Sequence, residues 1–88
     1  MNKRDVELYL QSFVITEQEG SGWAWAISET GDPCRLTKEF TNRRYKTQVD
    51  ALHAGISYCW TCKPNLVGIA RHEARMAEQY QHQRRQGA

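Results

Sequence analysis

The sequence predicts an α+β domain: a three-stranded antiparallel β-meander, preceded by a short helix and covered by one long or proline-bent C-terminal helical segment. Three observations carry this. Residues 23–29 alternate large and small side chains with the period of a strand. Clusters containing glycine or proline, at residues 17–22 and 30–33, flank that segment and mark chain reversals. From Thr47 onward the apolar residues fall at the i, i+3, i+4 spacing of a helix instead.

Taken in order, Asn2 and Asp5 stand at the spacing of a capping box, and Val6, Tyr9 and Leu10 follow at helical intervals, which predicts a helix near residues 3–11. Val6, Leu8 and Leu10 also alternate, so a strand is the competing assignment there. Phe13–Thr16, aromatic and β-branched, reads as the first strand, and Glu17–Gly22 as the turn behind it. The second strand, Trp23–Glu29, would place Trp23, Trp25 and Ile27 on one face and Ala24, Ala26 and Ser28 on the other. After the Thr30–Pro33 turn, Cys34, Leu36 and Phe40 lie on even positions with Lys38 between them, which predicts a third strand over 34–40. Thr41–Lys46 is a basic exposed link.

Behind Thr47 as N-cap, a helix would carry Val49, Leu52, His53, Ile56, Cys59 and Trp60 on its apolar face. The residue before a proline avoids the α region, so Lys63-Pro64 should end or bend that helix near Cys62. Pro64 then suits the first turn of a final helix running to about residue 82, with Leu66, Ile69, Ala70, Ala74, Ala77 and Tyr80 as its less polar side. Gln81–Ala88 is expected to fray.

A chain of 88 residues has room for one ordinary core, so residues 1–88 are read as a single domain. Nine aromatic residues supply the bulk that so short a chain needs. Its longest apolar runs, such as Trp23–Ile27 and Leu66–Ala70, fall far short of the about 20 residues that span a bilayer. Asp5 and Glu7 occupy the place where a signal peptide would have its apolar core, and an odd count of three cysteines suits no disulfide framework. The expectation is a cytoplasmic protein with free thiols. The net charge of +2 conceals a split. Residues 1–32 hold two basic and six acidic side chains, whereas residues 33–88 hold ten basic and four acidic ones. That asymmetry can steer a charged partner.

Cys59-Trp60-Thr61-Cys62 has the spacing of a redox pair, but the first thiol of such a pair belongs at a helix N-terminus, where the dipole favours the thiolate. Here it falls near a helix C-terminus. A zinc site built on the same pair would need a second tight pair, and Cys34, His53 and His72 do not form one. Ser12, Ser21, Ser28 and Ser57 sit in no nucleophile elbow, and no glycine-rich phosphate loop is present. Binding rather than catalysis is therefore the expected work, with no cofactor or metal. Nucleic acid is the alternative partner: Arg43, Arg44, Lys46, Lys63, Arg71, Arg75, Arg84 and Arg85 could follow phosphates, with Trp23 or Trp25 stacking on bases if one sheet face were bare. A pI of 8.5 and the need of a small sheet to bury its aromatic face weigh against a dedicated nucleic-acid binder.

Two stretches together resemble a known family. Asp5–Ile15 (DVELYLQSFVI), followed by Gly22-Trp23-Ala24-Trp25-Ala26-Ile27 with Glu29 and Gly31, is similar to the N-terminal half of the fourth type I-F anti-CRISPR family of phages and mobile genetic elements. Gly55–Arg71, with Tyr58, Trp60, Cys62, Lys63, Leu66, Val67, Ile69, Ala70 and Arg71, is similar to its C-terminal helix. The likeness lapses between Cys34 and Asp50, where the family is longer and differently composed, and the position of Cys59 is apolar in the family. The resemblance implies an inhibitor, working in the bacterial host cytoplasm, that binds the large subunit of the type I-F surveillance (Csy) complex and blocks DNA engagement or nuclease recruitment by occlusion. No catalytic residue and no direct nucleic-acid contact are implied. From the charge split, Glu17, Glu19, Arg43, Arg44, Arg71 and Arg75 are the candidate partner contacts.

Overall fold

The structure, a computed structural model, describes the backbone of residues 2–86 and the side chains of residues 2–81. A first helix, α1 (Lys3–Leu10), is started by a complete capping box. Asn2 Oδ1 accepts the Asp5 N–H at 3.0 Å, and the Asp5 carboxylate accepts the Asn2 N–H at 3.3 Å. Val6 and Leu10 are buried while Leu8 is 60% exposed, so the helical period governs this segment and the alternating one does not. A single 3₁₀ turn, Gln11–Phe13, turns the chain into the sheet.

The sheet has two strands, β1 (Val14–Glu19) and β2 (Gly22–Ile27), paired antiparallel from Val14↔Ile27 to Glu19↔Gly22. The first strand runs three residues beyond the expected Thr16, because Gly20, at φ +60°, lets the chain reverse over two residues. The β2 face that carries Trp25 and Ile27 lies against α2 (Gln48–Cys62), whose Thr47 N-cap accepts the Asp50 N–H at 3.1 Å. Gln48 Nε2 donates to Thr16 Oγ1 at 3.0 Å and fastens the start of this helix to β1. Ala24, Ala26 and Ser28 are also fully buried, so both faces of β2 are covered.

The expected third strand over residues 34–40 does not form. Its chain does return along the outer edge of β2, but touches it at two isolated bridges, Ile27↔Lys38 and Trp23↔Tyr45. Four steps along β2 face seven along the returning chain, and this surplus cannot lie in a regular ladder. The edge is satisfied nonetheless: Trp23 and Tyr45 exchange two backbone hydrogen bonds of 2.8 Å, the Thr41 N–H donates to the Trp25 carbonyl at 3.0 Å, and Thr37 and Lys38 both donate to the Ile27 carbonyl. Ser28 anchors the intervening turn, its hydroxyl lying 2.8 and 3.0 Å from the carbonyl oxygens of Asp32 and Arg35.

The apolar face of α2 also differs from expectation. Ala51, Gly55, Ile56 and Cys59 are buried, whereas Val49 and His53 face outward. Three of the four buried residues are small and recur every fourth position, which lets the helix backbone approach the sheet closely. A methyl group built on Gly55 would lie 2.5 Å from Val14 Cγ1 and 3.3 Å from Trp25 Cε3. The C-terminal segment is two helices. Lys63, at φ −127° and ψ 65°, leaves the helical conformation, and α3 (Pro64–Gln86) begins with proline in its first position. Leu66, Val67, Ala70 and Ala74 are buried where α3 packs on α1 and α2. Ile69 and Tyr80, expected on that side, are exposed. The helix continues past the expected residue 82 to Gln86; the rest of the tail expected to fray lies outside the described residues.

One apolar cluster joins all of this, drawing on Val6 and Leu10 of α1, Val14, Trp25 and Ile27 of the sheet, Ile56 and Cys59 of α2, and Leu66, Val67 and Ala70 of α3. Gly55→Ala should therefore destabilise the fold. The about 1–3 kcal/mol expected for forcing a methyl into a filled contact exceeds the about 1 kcal/mol gained in helix propensity. Gly68→Ala, on an exposed position with open space around the new methyl, should stabilise by roughly 0.5–1 kcal/mol. Urea unfolding of the two variants checks the pair, and a Gly55→Ala protein as stable as the parent would refute the close approach.

Candidate functional site

The six candidate contacts do not form one surface. Glu17 and Glu19 lie at the hairpin end of β1, which Arg43 and Arg44 reach from the returning segment. There the Arg44 guanidinium forms an ion pair with the Glu19 carboxylate and donates a 2.5 Å hydrogen bond to the Thr41 carbonyl. The Arg43 guanidinium stacks 5.1 Å from the centre of the Tyr45 ring. At this end one acid and one base, Glu19 and Arg44, are matched, which neutralises part of the charge split read along the chain. An exposed pair of this kind contributes at most about 1 kcal/mol and chiefly fixes the path of the segment. Arg71 and Arg75 are on α3, which packs against α1 and α2. Arg71 lies over Trp60, its Cζ 5.6 Å from the ring centre, and Arg75 is exposed one turn further on.

Three interactions at the other positions matter for what the surface offers. Lys38 sits beside the tilted pair Trp25 and Tyr58, whose ring centres are 5.2 Å apart, with its ammonium 5.2 and 5.3 Å from them. Glu29, just beyond β2, accepts from Asn65 Nδ2 at 2.6 Å and pairs with Lys63 Nζ at 3.5 Å, which ties the end of the hairpin to the α2–α3 junction. These bonds hold the Glu29 carboxyl below its ordinary value of 4.5, the Asn65 hydrogen bond contributing most and the Lys63 charge adding to it. Lys3, at the start of α1, brings a second cation to Trp60, 5.5 Å from the ring centre. Nothing in the spacing of Lys3, Trp60 and Arg71 along the chain signals that they meet; only the packing of three helices brings them together.

The sheet offers no bare aromatic platform, since Trp25 is 6% exposed and Trp23 half-buried. Of the cations that could follow a phosphate chain, Arg44 and Lys63 are held by carboxylates, and the side chains of Arg84 and Arg85 lie outside the described residues. Cys59 is fully buried in the core, and burial pushes its thiol up to about 11. Cys34 and Cys62 are exposed. Among the described residues no three His, Cys, Asp or Glu side chains are placed to share a metal ion, and no helix is long and apolar enough to cross a membrane. No protein-family model matches the chain, and no curated protein is significantly similar to it.

Two measurements check this geometry. In the native protein Cys34 and Cys62 should react with an aromatic disulfide reagent near pH 8, and Cys59 roughly a hundredfold or more slowly, becoming equal on unfolding. Three equally fast thiols would contradict the buried position of Cys59. A depressed carboxyl contributes stability that is full above its unfolded pKa and is lost as pH falls through the folded one. Wild type should therefore melt above Glu29→Gln at pH 7, with the gap closing as pH drops below the ordinary carboxylate range. A gap that persists at the lowest pH would show that the Glu29 charge is not its source.

Proposed function

We propose that this chain is a small anti-CRISPR protein that binds a type I, most specifically type I-F, CRISPR-Cas surveillance complex at its large subunit and blocks DNA engagement or nuclease recruitment by occlusion. The observation that carries this reading is the joint order and spacing of Asp5–Ile15, Gly22–Gly31 and Gly55–Arg71, which resemble the fourth type I-F anti-CRISPR family. These stretches coincide with α1 and β1, with β2, and with the α2–α3 junction, and contribute Val6, Leu10, Trp25, Ile27, Ile56, Leu66 and Ala70 to the common core. The residues of the likeness therefore include much of the apolar core.

Occlusion needs a rigid domain with exposed groups on a defined frame, and the candidate contacts sit on such a frame at two places, the hairpin end and α3. Within the stretch where the likeness lapses, between Cys34 and Asp50, the segment Thr37–Lys46 runs along β2 without forming a strand, and it is there that target choice would vary between relatives. Pulldown of the purified chain with type I surveillance complexes, beside a DNA mobility shift, tests the reading. Stable capture by the type I-F complex with no affinity for free DNA is expected. Salt-sensitive DNA binding without capture would instead assign the chain to the small basic nucleic-acid-binding modules.

A further inference from the structure

The first turn of α1, the end of α2 and the second turn of α3 border an open pocket of about 290 Å³ lined by Asn2, Lys3, Val6, Trp60 and Arg71. Its cations come from two different helices and converge on one indole ring, at 5.5 and 5.6 Å from its centre. Neither Lys3 nor Arg71 has a carboxylate within ion-pair distance among the described residues. Arg44, Lys63 and Arg35 have acidic partners, and Lys38 and Arg43 lie singly over other rings, whereas here two cations meet at one ring. Two positive charges lining one apolar-floored pocket, with no carboxylate paired to either, attract an anion.

We propose that the Lys3–Trp60–Arg71 pocket receives a carboxylate side chain from an acidic loop of a protein partner. The guanidinium can take a carboxylate bidentately while the ammonium adds a second charge, and the floor of Val6 and the Trp60 ring suits the aliphatic stem of a Glu or Asp. A phosphodiester chain fits less well. It would find a further cation in Arg75, exposed one turn along α3, but a phosphate has no aliphatic stem to lay on the floor of Val6 and the Trp60 ring. The inference rests on the chain being a protein binder, as proposed above, but is independent of which complex it binds.

The full-length protein, labelled with ¹⁵N, is titrated with a short acetylated peptide of glutamate and glycine and, separately, with a twelve-nucleotide single strand of DNA. The peptide should shift the Trp60 indole N–H resonance saturably and leave that of Trp25 in place. Arg71→Glu and Lys3→Glu should each weaken the peptide at least about tenfold, with Arg71→Lys retaining more of the affinity. Both residues are exposed, so an unchanged Trp25 resonance and spectral dispersion certify the fold of each variant. An unmoved Trp60 resonance, or DNA binding at this pocket more tightly than the peptide, overturns the proposal. Capture by the surveillance complex with an unmoved Trp60 would sink this inference alone. A peptide-responsive pocket without capture would sink the anti-CRISPR reading and leave the acidic partner standing.

Discussion

The approach of α2 to the sheet at Gly55 is the constraint from which the other positions follow. With no side chain there, the helix backbone closes on Val14 and Trp25, and the small residues Ala51 and Cys59 one turn to either side extend the same contact. Trp25 is thereby pressed between helix and hairpin, beside Tyr58, and Lys38 is drawn in over both rings. The core of so small a domain has little area to spare, and dense contact at this one interface makes up for the modest number of large aliphatic residues. The break before Pro64, set locally, then turns α3 back across α1.

A two-stranded hairpin is marginal by itself, and an open edge on β2 would invite pairing with other chains. This fold answers both problems with one irregular segment. Residues 37–45 occupy the backbone groups of Trp23, Trp25 and Ile27 without the regularity of a strand. Glu19–Arg44 and Arg43 over Tyr45 hold the far end of that segment, and Ser28 holds its near end. A chain so fixed at both ends and irregular between them tolerates changes of length and composition in the middle while the hairpin keeps its pairing.

Charge is used in two ways on this surface. At the hairpin end, and where Glu29 meets Lys63 and Asn65, opposite charges are matched and serve the fold. Around Trp60 the charges are alike and unmatched, and the ring that collects them belongs to a helix that also contributes to the core. Like charges held together on a rigid frame store an attraction for something of opposite sign, whereas matched pairs have already satisfied theirs.

Local chemistry alone determined much of this molecule. The Asn2–Asp5 capping box, the Thr47 cap, the tryptophan-bearing strand and the break before Pro64 are written in residues a few positions apart, and each forms as its spacing predicts. What depended on distant residues was not legible. The Cys34–Phe40 alternation resembled a strand, but the length of chain between Lys38 and Tyr45 exceeds what β2 can pair, so backbone register overrode the pattern. The period of α2 was plain, but not that its small residues rather than Val49 would turn inward, because that choice follows from how closely the sheet approaches. The candidate charges were correctly found on the exterior, yet their pairing at Glu19–Arg44 and the convergence of Lys3, Trp60 and Arg71 arise only when hairpin and helices pack. Sequence fixes which groups can cap, turn or alternate, since those interactions close within a turn or two of chain; which charges meet is decided by tertiary structure, since their partners lie tens of residues away.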